Sequence, residues 1–85
     1  MPYIKSNDRN KFDGLLLEVS DNIMSKGDLT YCLYRLCTNV LNHGDVNYTT
    51  LSTTMSCLED AKLEWYRSKV VPYEEIKKLE NGDVI

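Results

Sequence analysis

Leu29, Leu33, Leu36 and Val40 step along the chain by four, three and four residues. That interval returns side chains to one face of an α-helix, whereas a half-buried strand needs strict alternation. Asp28 before the stripe is a good N-cap, and His43-Gly44 after it a good stop, so the pattern predicts a helix over residues 29–42. Cys32, Cys37 and Leu41 widen its apolar face, which makes this the helix expected to be most buried. The same period precedes it. Leu16, Val19 and Ile23, supported by Leu15 and Met24, predict a helix over residues 14–26 with Asp13 as N-cap and Gly27 just past its end.

After Asp45-Val46, Asn47 caps a third and longest helix reaching about residue 70, with Leu51, Met55, Leu58, Ala61 and Trp65 on its inner face. Pro72 has no N–H and pushes Val71 toward an extended backbone, so a break is expected there. A short fourth helix then runs to residue 79, with Glu74 pairing with Lys77 or Lys78, and Asn81-Gly82 ends it. The fold class expected is all-α: a small bundle of three main helices plus a short C-terminal helix. It forms one domain over residues 1–85, with an N-terminal arm (1–12) and a C-terminal tail (81–85).

Composition excludes several classes. In 85 residues, 42% hydrophobic and 27% charged, only two are proline, which is a globular composition rather than a disordered or collagenous one. Leu15-Leu16-Leu17 is far short of the ~20 apolar residues a membrane span needs. Met1-Pro2-Tyr3-Ile4-Lys5 has no apolar run behind it, so no secretion signal is expected and the compartment expected is the cytoplasm, or the host cytoplasm for a viral chain. A domain this small buries only about 60–65% of its unfolded surface and cannot easily enclose a deep cavity. A sizeable pocket would lie between subunits, so a homo-oligomer is expected.

The net charge of −3 is unevenly spread: +2 over residues 1–12, −5 over 13–60 and zero over 61–85. Duplex DNA binding needs a basic footprint that this chain lacks, although a small anionic ligand needs only two or three cations.

Familiar reactive constellations are missing. Cys32, Cys37, Cys57 and His43 supply a Cys3His set in number only. Cys32 and Cys37 lie about 140° apart on a helix, so no metal site and no cofactor is expected, and the thiols read as reduced, buried small hydrophobes. Cys37 and His43 sit about 240° apart and cannot pair within one subunit, which leaves His43 to cover the end of its helix. Glu59-Asp60 and Glu74-Glu75 are adjacent pairs that splay apart rather than face each other across a cleft. The four glycines are dispersed, so there is no phosphate loop. Asn47-Tyr48-Thr49 matches a glycosylation sequon but reads as a helix cap. An enzyme is not expected.

One arrangement combines the chemistry of ligand binding. Lys62, Tyr66, Lys69 and Tyr73 alternate cation and aromatic at helical spacing, with Arg67 beside them, and Tyr31, Tyr34 and Arg35 form a second aromatic edge. Cationic side chains meet phosphates, and aromatic rings stack on bases. The plainer reading is a bundle boundary, with lysine stems lying over tyrosines.

The residues also carry a resemblance. Met1-Pro2-Tyr3-Ile4 leads to Arg9 and Lys11-Phe12-Asp13, followed by Gly27-Asp28-Leu29-Thr30-Tyr31, Tyr34-Arg35-Leu36 and Asn47-Tyr48. The densest part runs through Leu58-Glu59, Lys62-Leu63-Glu64, Tyr66-Arg67, Val70-Val71-Pro72-Tyr73-Glu74, Lys77-Lys78 and Glu80-Asn81-Gly82-Asp83-Val84. This resembles a family of short uncharacterised proteins from bacteriophage, bacterial and archaeal genomes, a domain of unknown function; Gly14 stands where that pattern carries proline. The resemblance implies a viral or mobile-element accessory protein in a prokaryotic cytoplasm. The expected function is a counter-defence protein that sequesters a nucleotide-derived immune signal at a subunit interface. The ligand-binding residues would be Tyr66, Arg67, Lys69, Lys62, Tyr73, Arg35, Tyr31 and Tyr34. The alternative is a helical adaptor that inhibits a host protein by direct contact. An enzyme using His43 or a cysteine ranks behind both.

Overall fold

The computed structural model describes residues 3–84, so Met1 and Pro2 of the expected arm and Ile85 of the expected tail lie outside the described residues. The fold is all-α, with no strand among the described residues. The chain divides into two units, Met1–Gly44 and Asp45–Ile85.

The first unit opens with a 3₁₀ turn, Ser6–Asp8, and continues into α1, Asn10–Ser20. The start of α1 corrects the expected cap at Asp13. Arg9 is the N-cap residue, with no side-chain cap bond, and its carbonyl accepts from the N–H groups of Phe12 and Asp13, both at 3.0 Å. Asp13 lies inside the first turn, where its charge favours the helix N-terminus without capping it. The earlier start follows from the 3₁₀ turn, which delivers the backbone in helical geometry before Asp13 is reached.

The end of α1 is a second correction, because the helix stops at Ser20 and not at Gly27. Its last carbonyls are satisfied by polar neighbours. Ser20 Oγ donates to Leu16 O at 2.7 Å, Asp21 N–H to Leu17 O at 2.9 Å and Asn22 Nδ2 to Glu18 O at 3.0 Å. Serine and asparagine compete locally for backbone groups and close the helix before glycine is needed.

Gly27 instead belongs to α2, Lys26–Leu41. Ser25 is the extended N-cap residue, and its Oγ accepts from Asp28 N–H at 3.0 Å. Asp28, the expected cap, answers from the third helical position, its Oδ2 accepting from Met24 N–H at 2.9 Å. The exchange satisfies two backbone donors, the logic of a capping box. At the other end Asn42 N–H meets Thr38 O at 3.1 Å, and the backbone N–H of His43, rather than its ring, meets Val40 O at 3.0 Å.

The second unit is one long, bent helix rather than a helix, a break and a short helix. It comprises α3 (Tyr48–Trp65), a π-helical segment (Tyr66–Val70) and α4 (Val71–Asn81). Asn47 caps it as expected: Asn47 Oδ1 accepts from Thr50 N–H, and Thr50 Oγ1 accepts from Asn47 N–H, both at 3.0 Å. Val71 is helical, at φ −59° and ψ −50°, which overturns the expected extended conformation. A proline in a regular helix clashes with the carbonyl four residues back. Here the turn before Pro72 widens, with Val71 N–H reaching back five residues to Tyr66 O, and the helix absorbs Pro72 within the first turn of α4. The C-terminal stop is as expected: Gly82 N–H meets Lys78 O at 2.9 Å, and Gly82 leaves the helix at φ 83°. The expected partner Glu74 is replaced. Lys77 pairs with Glu80 at 3.0 Å, and Lys78 with Glu75 at 3.4 Å.

Neither unit encloses a core, and no described residue is buried. The stripe expected to be the most buried remains open, with Leu29 and Leu33 each 48% exposed. Helical period therefore sorts the side chains by face, but no burial within the chain follows from it.

Candidate functional site

The π segment holds three of the expected site residues in one widened turn: Tyr66, Arg67 and Lys69. Such turns arise rarely in helices and are frequent at functional sites, because they re-aim side chains and loosen the carbonyl ladder. Lys62 lies in the last turn of α3, one turn upstream. Tyr73 is different. Seven residues along a regular helix return to within about 20° of the starting direction, but a π turn consumes one extra residue and carries the residues beyond it about 100° out of line. The alternating stripe thus holds from Lys62 to Tyr66 and is interrupted before Tyr73. The Tyr73 ring has a neighbour of its own, with Lys77 Nζ 5.6 Å from its centroid.

Two residues at this turn are absent from the expected set. Glu64 forms an ion pair with Arg67, and its Oε1 accepts from Ser68 Oγ at 3.1 Å. The Glu64–Arg67 pair was legible as an i,i+3 spacing. Ser68 was legible only through Pro72, four residues on, whose ring crowds the Ser68 carbonyl in a regular helix.

Tyr31, Tyr34 and Arg35 lie on α2 in the first unit. Tyr31 and Arg35 are among the residues that line an open groove of about 330 Å³ between α1 and α2. Leu16, Val19 and Ile23 form one wall and Leu29, Leu33 and Leu36 the other. Tyr34 does not line this groove and is 72% exposed. These apolar residues, expected as core, line an open groove instead. Cys32 also lines it and is half-buried like Cys37, while Cys57 is exposed, so the expectation of three buried thiols is corrected. Among the described residues, no group of three or more His, Cys, Asp or Glu side chains comes together as a metal site. No described helix is long and apolar enough to cross a membrane.

The family model described as "Domain of unknown function (DUF6899)" matches residues 1–84. The chain belongs to that family. No curated protein and no solved structure matches it significantly. This DUF6899 protein offers two features to a ligand or partner: the basic and aromatic π turn of the second unit and the apolar groove of the first.

Proposed function

We propose that this DUF6899 protein is a non-enzymatic, cytoplasmic accessory protein of phage type that assembles from identical subunits and sequesters a small anionic nucleotide, a counter-defence role. The observation that carries the reading is the π turn, where Tyr66, Arg67 and Lys69 fall together. Tyrosine supplies a stacking platform, arginine a planar fork for phosphate, and lysine a further charge. The exposed apolar helix faces support the assembly. A thermal-shift screen of nucleotides, cyclic ones included, tests the reading. Stabilisation that grows with ligand excess is expected. A melting temperature unmoved by millimolar concentrations of every nucleotide tested overturns it.

The α1/α2 groove favours a second reading, a helical adaptor that inhibits a host protein by receiving one of its helices. Under that reading a single host protein binds stoichiometrically, with no nucleotide effect, and Leu33→Glu abolishes the complex.

A further inference from the structure

We propose that the backbone carbonyl of Arg67 selects the base of the nucleotide, by accepting a hydrogen bond from the amino group of adenine. The inference deepens the proposed function and rests on its nucleotide reading.

The hydrogen bonds of the bent helix single out this carbonyl. A carbonyl inside a helix can accept from the N–H three, four or five residues further on. For Arg67 those residues are Val70, Val71 and Pro72. Val71 N–H goes instead to Tyr66 O, the five-residue bond of the widened turn. The same pattern through Tyr66–Val70 assigns Val70 N–H to Trp65 O. Pro72 has no N–H to give. Among the described residues no side chain donates to this carbonyl either; the contact Arg67 makes, with Glu64, is at its guanidinium. The π turn and the proline thus combine to leave one acceptor over, since in a regular helix Val71 N–H would serve Arg67 O.

Its position matches that acceptor to a ligand. The carbonyl belongs to the residue whose guanidinium would hold the phosphate, and it follows directly after Tyr66, whose ring would carry the base. Arg67 is exposed, and an acceptor satisfied by water exchanges it readily for a ligand donor. The cations Arg67 and Lys69 can only donate, so the carbonyl adds the opposite polarity to the turn. An unpaired acceptor favours a base that offers a donor without a carbonyl of its own. Adenine meets that condition with its amino group, whereas guanine and uracil place carbonyl oxygens on the corresponding edge, which repel Arg67 O. Cytosine carries its amino group on a smaller ring with less surface to stack on Tyr66.

A matched pair of ligands tests the inference. Adenosine 5′-monophosphate and purine riboside 5′-monophosphate share phosphate, sugar and ring system and differ in the amino group. Titrated into the full-length chain, the adenine nucleotide should bind about two- to tenfold more tightly, the range of one hydrogen bond. The carbonyl carbon resonance of Arg67 should also move further with it than with the purine analogue. Equal affinities overturn the inference and leave the nucleotide reading standing. Failure of both ligands to bind overturns it too, whatever other nucleotide the wider screen finds. Pro72→Ala locates the source of the preference. Where backbone shifts show Tyr66–Val70 relaxed to a regular helix, Val71 N–H returns to Arg67 O, and the two ligands should bind equally. A relaxed variant that keeps the preference overturns the assignment to this carbonyl.

Discussion

Arg67 turns its guanidinium back onto the carboxylate of Glu64, three residues earlier on the same helix. The Arg67 side chain is 66% accessible, so solvent screens the pair and it adds little to helix stability. Under the proposed nucleotide role, the Glu64 carboxylate competes with a phosphate for the Arg67 guanidinium.

Two substitutions therefore act in opposite directions on nucleotide affinity. Arg67→Ala should weaken binding by about 1.5–3 kcal/mol, the scale of a hydrogen bond to a charged group, and alter stability by less than about 0.5 kcal/mol. Glu64→Gln should strengthen binding by releasing the guanidinium. Calorimetric titration of one nucleotide into both variants, alongside thermal melts, measures the two effects. Equal affinities in both would remove Arg67 from the site.

Pro72→Ala restores the N–H and removes the ring that the widened turn accommodates. The segment Tyr66–Val70 should relax toward a regular α-helix and realign Tyr73 with Tyr66, with helicity unchanged or higher. If the π turn carries the proposed nucleotide site, affinity should fall although Tyr66, Arg67 and Lys69 are unchanged. Backbone chemical shifts across residues 66–72, measured with affinity, check the linkage.

Two glycines should respond to alanine with opposite signs. Gly14 lies inside α1 with nothing within 4 Å of a would-be Cβ, so Gly14→Ala should stabilise the protein by about 0.5–1 kcal/mol. Gly82 adopts φ 83°, where a Cβ is strained, so Gly82→Ala should cost about 1–2 kcal/mol. Thermal unfolding followed by circular dichroism reports both, at about 4–8 °C per kcal/mol for a chain of this size.

Caps give a paired contrast. Asn47→Ala and Ser25→Ala each remove an acceptor for a backbone N–H and should cost about 1 kcal/mol. Arg9→Ala removes no cap bond at the start of α1 and should leave its helicity unchanged. Urea midpoints of the three variants separate them.

Helix existence and the choice of apolar face were legible in the sequence, because both depend on periods of three and four residues and on caps formed by near neighbours. Asn47 and Gly82 were read correctly for that reason: the atoms they serve, Thr50 N–H and Lys78 O, lie within one turn. Tyr66, Arg67 and Lys69 were legible as a chemically distinctive group, but their common place in a π turn was not. That place depends on how the backbone accommodates Pro72, either breaking or widening, and both outcomes are compatible with the same local residues. Gly27 and Asp28 were placed near a helix boundary but in the wrong roles. Ser20, Asn22 and Ser25 also serve backbone groups within one turn, but Asp13, Gly27 and Asp28 offer competing cap and stop residues nearby, and spacing alone does not choose between two local candidates. The stripe from Leu29 to Val40 shows the division most plainly. Its helical face is a property of spacing, set by the sequence alone. Whether that face is covered depends on what packs against it, and within its own unit the face is left open, because burial is a relation between elements and no period within one helix contains it.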